Sequence, residues 1–66
     1  MYVTVTMQRE RHDMCLDDGA TGADLLARLD LTPEQAILVV DGGPVPHTER
    51  LPDGAMVKVV RVASGG

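Results

Sequence analysis

Residues 56–66 have the sequence Met56-Val57-Lys58-Val59-Val60-Arg61-Val62-Ala63-Ser64-Gly65-Gly66. The valines of this stretch are β-branched and suit a pleated surface, which predicts a buried final strand. After Val62 the side chains become small, and the last two residues are glycines. We therefore expect residues 63–66 to form a flexible tail that can carry the α-carboxylate of Gly66 into a narrow channel.

The chemistry open to such a tail is limited. A carboxylate is a poor acyl donor until ATP converts it to an acyl-adenylate. A sulfur donor would then leave a thiocarboxylate, and an amine would leave an amide. The internal pair Gly42-Gly43 cannot react in this way, because both of its carbonyls already belong to peptide bonds. Taken alone, two terminal glycines favour a disordered end of no consequence, so the rest of the chain has to decide.

Length and composition exclude several classes of protein. Sixty-six residues allow one small domain, and a single cysteine excludes an internal disulfide. The spacing of Cys15, His12 and His47 does not match a zinc site, so no metal is expected. A net charge of −4 argues against nucleic acid as a ligand and fits a partner with basic grooves. Without a membrane-length apolar run or a signal-peptide front, the protein is expected to be soluble and cytoplasmic.

The first half of the chain predicts a strand hairpin followed by a helix. Residues 1–7 alternate between apolar and polar side chains, which is typical of a half-buried strand. The polar residues 8–13 are then a loop, and residues 14–17 return as a second strand in which Cys15 is a small buried side chain. Thr21-Gly22-Ala23-Asp24 is a capping-box variant that starts a helix. The helix carries an apolar stripe and is followed by a single turn at Thr32-Pro33-Glu34.

The second half of the chain predicts three more strands. Residues 36–40 are continuously apolar, which predicts a central strand with little exposed on either face. Asp41-Gly42-Gly43 is a turn, and Pro44-Val45-Pro46 can form only a short edge strand. Residues 47–51 have no assigned structure, and Pro52-Asp53-Gly54 turns the chain into the final strand.

This order of elements predicts an α+β roll in which one mixed sheet of four to five strands packs on one helix. The other face of the sheet then stays open. If Val57 and Val59 point at the helix, Lys58, Val60 and Val62 point to the open face and form a surface for a partner.

Three stretches together carry a resemblance to a known family: Thr21-Gly22-Ala23-Asp24-Leu25-Leu26, Val39-Val40-Asp41-Gly42-Gly43-Pro44-Val45-Pro46, and residues 53–66 with the terminal diglycine. They resemble the β-grasp fold of ubiquitin-like proteins. The likeness is greatest to the thiamine-pathway sulfur carrier, the small subunit of molybdopterin synthase and, above all, the small archaeal modifier proteins. The resemblance implies a single β-grasp domain over residues 1–62 and a tail over residues 63–66.

The resemblance also implies a function. Family members are adenylated at the last glycine, here Gly66, by a ubiquitin-activating-like adenylyltransferase that uses ATP. They then carry sulfur as a thiocarboxylate for tRNA thiolation or cofactor synthesis, or form isopeptide bonds with target lysines. Tail recognition would fall to Gly65, Ser64 and Arg61. Further implied partners are a metalloprotease deconjugase and a tRNA-thiolating enzyme, while the protein itself binds no cofactor and is expected to be a monomer.

Lys58 is the only lysine of the chain. Chains that this protein forms on itself through side-chain amines must therefore use Lys58 as the acceptor. The alternative is that Lys58 only keeps the open face of the sheet soluble.

Two other functions compete with a modifier and sulfur carrier of this kind. One is a dedicated thiamine or molybdopterin sulfur carrier, and the other is a plain β-grasp interaction module in which the diglycine is incidental. An enzyme is not expected, because the chain assembles no nucleophile or acid–base cluster and hence no catalytic residues.

Overall fold

The computed structural model describes residues 1–62. The described residues form five strands and one helix: β1 (Tyr2–Met7), β2 (Glu10–Cys15), α1 (Gly22–Arg28), β3 (Ala36–Val40), β4 (Gly43–Val45) and β5 (Met56–Arg61). The strands form one sheet in the order β2-β1-β5-β3-β4. β1 and β5 are parallel, and the other neighbours are antiparallel. The predicted α+β roll of β-grasp type is confirmed for this part of the chain.

The final strand, β5, lies at the centre of the sheet between β1 and β3. Its side chains alternate in burial, with Val57 and Val59 in the core and Lys58 and Val60 exposed. Because successive side chains of a strand point to opposite faces, this alternation separates a covered face from an open one. The prediction that β5 is buried on one face and open on the other is therefore confirmed.

The helix begins and ends with local hydrogen bonds that the sequence encodes. At its start, the Thr21 hydroxyl accepts from the Asp24 amide at 3.4 Å, and the Asp24 carboxylate accepts from the Thr21 amide at 2.9 Å. At its end, the Leu31 amide donates to the Leu26 carbonyl and the Asp30 amide to the Ala27 carbonyl. This is a Schellman closure with Asp30 at a φ of 59°, a position that glycine usually takes.

The core lies between this helix and the covered face of the sheet. Leu25 and Leu26 of α1 are fully buried, and they belong to the same apolar cluster as the inward-facing valines of β1 and β5. The helix has only seven residues, so it covers a single face of the sheet. No helix within residues 1–62 is long and apolar enough to cross a membrane.

The hairpin at the start of the chain is tighter than the sequence predicted. β2 runs from Glu10 to Cys15 instead of over residues 14–17, and only Gln8-Arg9 turn the chain. The prediction was wrong because β2 is an edge strand that the short helix does not cover. Its side chains therefore stay exposed apart from the half-buried Met14, and its sequence needs no apolar alternation.

The prediction for β3 was wrong about its second face. Ala36 and Leu38 are buried, whereas Ile37 is 47% exposed. β3 lies between β5 and the edge strand β4, with the helix on only one side of the sheet. A continuous apolar run therefore does not require burial on both faces here.

The segment 47–51, for which no regular structure was predicted, closes the start of the helix. The His47 carbonyl accepts from the Ala23 amide at 2.8 Å, and the Glu49 carbonyl accepts from the Gly22 amide at 3.1 Å. These bonds satisfy amides that a helix start leaves without an intrahelical partner. The segment ends at Leu51, which is 5% exposed and belongs to the core.

Gly22 is where this segment comes closest to the helix, and its substitution tests that packing. A Cβ at Gly22 would overlap Leu38 Cδ1 and lie 3.1 Å from His47 Cα. We expect Gly22→Ala to lower the free energy of unfolding by about 1–3 kcal/mol, because neither the buried side chain nor the backbone can yield. Urea denaturation measures the change.

Gly43→Ala is the matched control, since a Cβ there would meet only the Val40 carbonyl at 3.9 Å. We expect it to stay within about 0.5 kcal/mol of the parent protein. Equal stabilities for the two variants would contradict close packing at Gly22.

Candidate functional site

The candidate site is the open face of the sheet, defined as the outward side chains on the side away from α1. Several large apolar side chains of this face are exposed, namely Tyr2, Ile37, Met56, Val60 and Val62. They stay exposed because the helix covers the other face. An exposed apolar surface of this kind is typical of a surface that binds a partner.

Three of these side chains form an apolar strip, which we define as Ile37, Val60 and Val62. Ile37 and Val60 lie directly opposite each other in the antiparallel pair of β3 and β5. The Val62 amide donates to the Gln35 carbonyl at 3.0 Å, which continues the same register one residue beyond β5. By strand alternation Val62 therefore lies on the side of Val60. The strip leads to the last described residue and hence to residues 63–66.

Lys58 lies next to the apolar strip on the open face. In the register of the sheet it is opposite Thr6 of β1 and Val39 of β3, and its side chain is exposed. Among residues 1–62 it makes no ion pair. The structure therefore has Lys58, Val60 and Val62 on the open face, as predicted. Their role as a partner surface stays a prediction.

The predicted tail-recognition residues are separated from the strip or lie beyond the described residues. Arg61 is opposite Ala36 and lies two residues after Val59 on β5. Because alternate residues of a strand share a face, Arg61 points, like Val57 and Val59, to the side of the sheet that carries the helix. It is exposed there. The predicted roles of Ser64, Gly65 and Gly66 fall on residues outside the described range.

Sequence reasoning missed Ile37 as part of the surface and misplaced Cys15. Nothing in the apolar run of β3 shows which of its faces the helix covers, so only the register with β5 reveals Ile37. Cys15 was predicted to be buried, but it is exposed on the edge strand β2, opposite Tyr2. The prediction was wrong because it inferred burial from the apolar neighbours Met14 and Leu16, whereas the register places Cys15 on the open face beside Tyr2.

The open face offers binding chemistry rather than bond-making chemistry. It combines apolar side chains with the one exposed primary amine of a lysine side chain. Within the described part of the chain, no three side chains of metal-ligating type lie close enough to hold an ion. His12 lies 3.4 Å from Glu10 on the exposed edge strand, with no nucleophile beside the pair.

Comparisons with known proteins agree with this geometry. The family model for small archaeal modifier protein 2 matches residues 1–63. The small archaeal modifier protein 2 of Haloferax volcanii is 39% identical over 67 aligned positions that cover all of both chains. An uncharacterized protein of Archaeoglobus fulgidus is 41% identical over 49 positions, which cover 74% of this chain and 72% of that protein.

The family match spans nearly the whole chain, and the alignment to the Haloferax protein extends from end to end. The resemblance to small archaeal modifier proteins that the sequence carries is thereby confirmed. The chain belongs to the small archaeal modifier protein 2 family, a family of ubiquitin-like modifiers.

Proposed function

We propose that this protein is a cytoplasmic modifier and sulfur carrier that acts through the carboxylate of Gly66 and has no active site of its own. The observation that supports this most is the apolar strip of Ile37, Val60 and Val62, which lies on the open face and ends at the residue before the tail residues 63–66. In this proposal the enzyme that receives Gly66 docks on this strip beside the start of the tail. Family membership supports the same function.

The first step is activation by a ubiquitin-activating-like adenylyltransferase. A carboxylate oxygen of Gly66 attacks the α-phosphorus of ATP, and pyrophosphate leaves. The product is a mixed anhydride between the Gly66 carbonyl and AMP. Glycine at this position leaves the carbonyl open to the next nucleophile, because it has no Cβ. ATP belongs to the activating enzyme, and the modifier binds no cofactor itself.

The acyl-adenylate can then react in two ways. A lysine amine of a target protein attacks the Gly66 carbonyl, AMP leaves, and the amine loses a proton to give an isopeptide bond. Alternatively, a sulfur nucleophile at the oxidation state of hydrosulfide attacks the Gly66 carbonyl and AMP leaves. The product is a thiocarboxylate, which can supply sulfur for tRNA thiolation or for a cofactor. A metalloprotease would hydrolyse the isopeptide bond and release the lysine amine and the Gly66 carboxylate, and a tRNA-thiolating enzyme would use the thiocarboxylate.

The apolar strip, with the part of the open face around it, is the docking surface for the activating enzyme in this proposal. Burial of the apolar strip would be favourable by roughly 25 cal/mol for each Å² removed from water. Arg61 lies at the end of the same strand, on its other face, where it can pair with acidic side chains of the enzyme beside the tail. The net charge of −4 suits basic surfaces elsewhere on that partner.

Lys58 is the acceptor when the modifier is joined to another copy of itself. It is the one lysine of the chain, and its side chain is exposed on the open face. The other five basic residues are arginines, whose guanidinium groups stay protonated and do not serve as acyl acceptors.

Deletion of Gly66 tests whether the terminal carboxylate carries the function. We expect the shortened protein to support no ATP–pyrophosphate exchange and to form neither thiocarboxylate nor conjugates. The terminal carboxylate is then on Gly65, one residue short of its position in the parent protein. The fold should persist with an unchanged urea midpoint, since the described core ends before residue 63. Full activity in cells after this deletion would instead favour a plain interaction module.

Val60→Ser tests docking on the apolar strip. We expect a roughly five- to tenfold rise in the KM for the modifier in ATP–pyrophosphate exchange, which corresponds to the loss of about 1 kcal/mol of apolar burial. The value of kcat should change little, because Val60 does not touch the reacting carboxylate.

Tyr2→Ser is the matched control for Val60→Ser. Tyr2 is also an exposed apolar side chain of the open face, but the parallel register of β1 and β5 places it six strand positions from Val60, about 20 Å away. We expect the KM for the Tyr2→Ser variant to stay within about twofold of the KM for the parent protein. The same KM for both variants would count against the strip as the docking surface.

Lys58→Arg tests the acceptor. We expect this variant to form no side-chain-linked multimers while conjugates with other proteins persist, because arginine keeps the charge but removes the amine. Trypsin cleaves after Arg61, so each conjugated lysine should carry the remnant Val62-Ala63-Ser64-Gly65-Gly66, which mass spectrometry detects. Multimers of Lys58→Arg that are linked through a side chain would rule out Lys58 as the acceptor.

A further inference from the structure

We propose that a second copy attached at Lys58 prevents the acceptor copy from being activated, so that a Lys58-linked dimer can be extended but cannot be transferred as a unit. This inference rests on the proposed function, because it takes the activating enzyme to dock on the open face. It goes beyond that function by making the acceptor lysine a switch on the donor activity of the same molecule.

Lys58 lies on the open face directly beside the apolar strip. Val60 is the next outward side chain of β5, about 7 Å along the strand, and Val39 lies opposite Lys58, about 5 Å across the sheet. Ile37, which is opposite Val60, is then about 8 Å from Lys58 on the diagonal. Any protein that covers Ile37 and Val60 therefore also covers the amine or passes directly beside it.

The size of a docking footprint makes this overlap unavoidable. A protein–protein interface of standard size buries about 800 Å² on each partner, which corresponds to a disc of about 16 Å radius. The described molecule measures 36 × 24 × 22 Å, so a disc of this size centred on the apolar strip covers most of the open face. Lys58 lies well within it.

The tether keeps an attached copy close to the open face of the acceptor. Four residues, 63–66, connect the last described residue of the donor copy to Lys58 of the acceptor, and they span at most about 14 Å when fully extended. The donor copy has a radius of gyration of 10.9 Å. Its body is therefore held close to the open face of the acceptor, and the isopeptide segment itself occupies the footprint.

The two copies of a dimer lose donor activity for different reasons. The donor copy has already used its Gly66 carboxylate in the isopeptide bond. The acceptor copy keeps a free Gly66, but its docking surface is covered. The amine of Lys58 on the donor copy is still exposed, so the dimer can receive another activated copy. Chains therefore grow one copy at a time at the distal lysine, and free dimers are not activated again.

The test compares two dimers that differ only in the point of attachment. In a Cys15→Ser background, which removes the exposed native thiol, Lys58→Cys and Arg28→Cys each provide one thiol. Each thiolate displaces the halide of an alkyl halide placed at the C-terminus of a second copy, which gives a stable thioether. Arg28 is exposed on α1, on the side of the sheet away from the open face, so its dimer is the matched control. The acceptor copy keeps its free Gly66 in both dimers.

The readout is ATP–pyrophosphate exchange by an archaeal ubiquitin-activating-like adenylyltransferase, with each dimer compared with its own uncoupled variant. We expect coupling at residue 58 to lower kcat/KM about tenfold or more, and coupling at residue 28 to lower it by no more than about twofold. Equal effects of the two couplings, whether both small or both large, would overturn the inference. If the uncoupled parent protein supports no exchange at all, the proposed function fails and the inference falls with it.

Discussion

The structure depends on the packing of one seven-residue helix against one face of a five-stranded sheet. In the described residues, this helix is the only one available to cover the sheet, so apolar side chains on the other face remain in water. The central strand β5 is divided by this constraint. Val57 and Val59 stabilise the core, whereas Lys58 and Val60 are left for contacts outside the molecule. The same short strand therefore holds the fold together and presents the candidate site.

The elements that could be predicted are those that depend on neighbours in sequence. The alternation of β1, the capping box at Thr21 and the turn at Asp41-Gly42 are local, and the structure has each of them. The φ values of Asp41 and Gly42, 53° and 81°, are those that a two-residue hairpin turn favours. The elements that were missed depend on distant contacts. β2 carries no apolar alternation because nothing covers it, and Leu51 is buried only because its segment folds back on the start of the helix.

In the candidate site, too, some residues could be placed from their sequence neighbours and others only from distant contacts. Strand parity alone places Lys58 and Val60 on the open face, given that their neighbours belong to the core. Ile37 could not be assigned in this way, since β3 is apolar at every position and only its register with β5 decides which side chains are covered. What the tail does is a question of chemistry rather than of fold, and there the support comes from the terminal diglycine and from membership in the modifier family.

The position of the lysine on the docking face also bears on a side reaction of the proposed chemistry. Lys58 and Val62 are four strand positions apart, about 13 Å, and the four residues that follow Val62 can span a comparable length. An activated Gly66 could therefore approach the Lys58 amine of its own chain and form a ring. In the proposed docking mode the activating enzyme covers the open face while the adenylate exists, so the amine is hidden from it. In this proposal, an acceptor placed under the docking footprint would protect a reactive terminus from its own chain as well as prevent re-activation of an occupied copy.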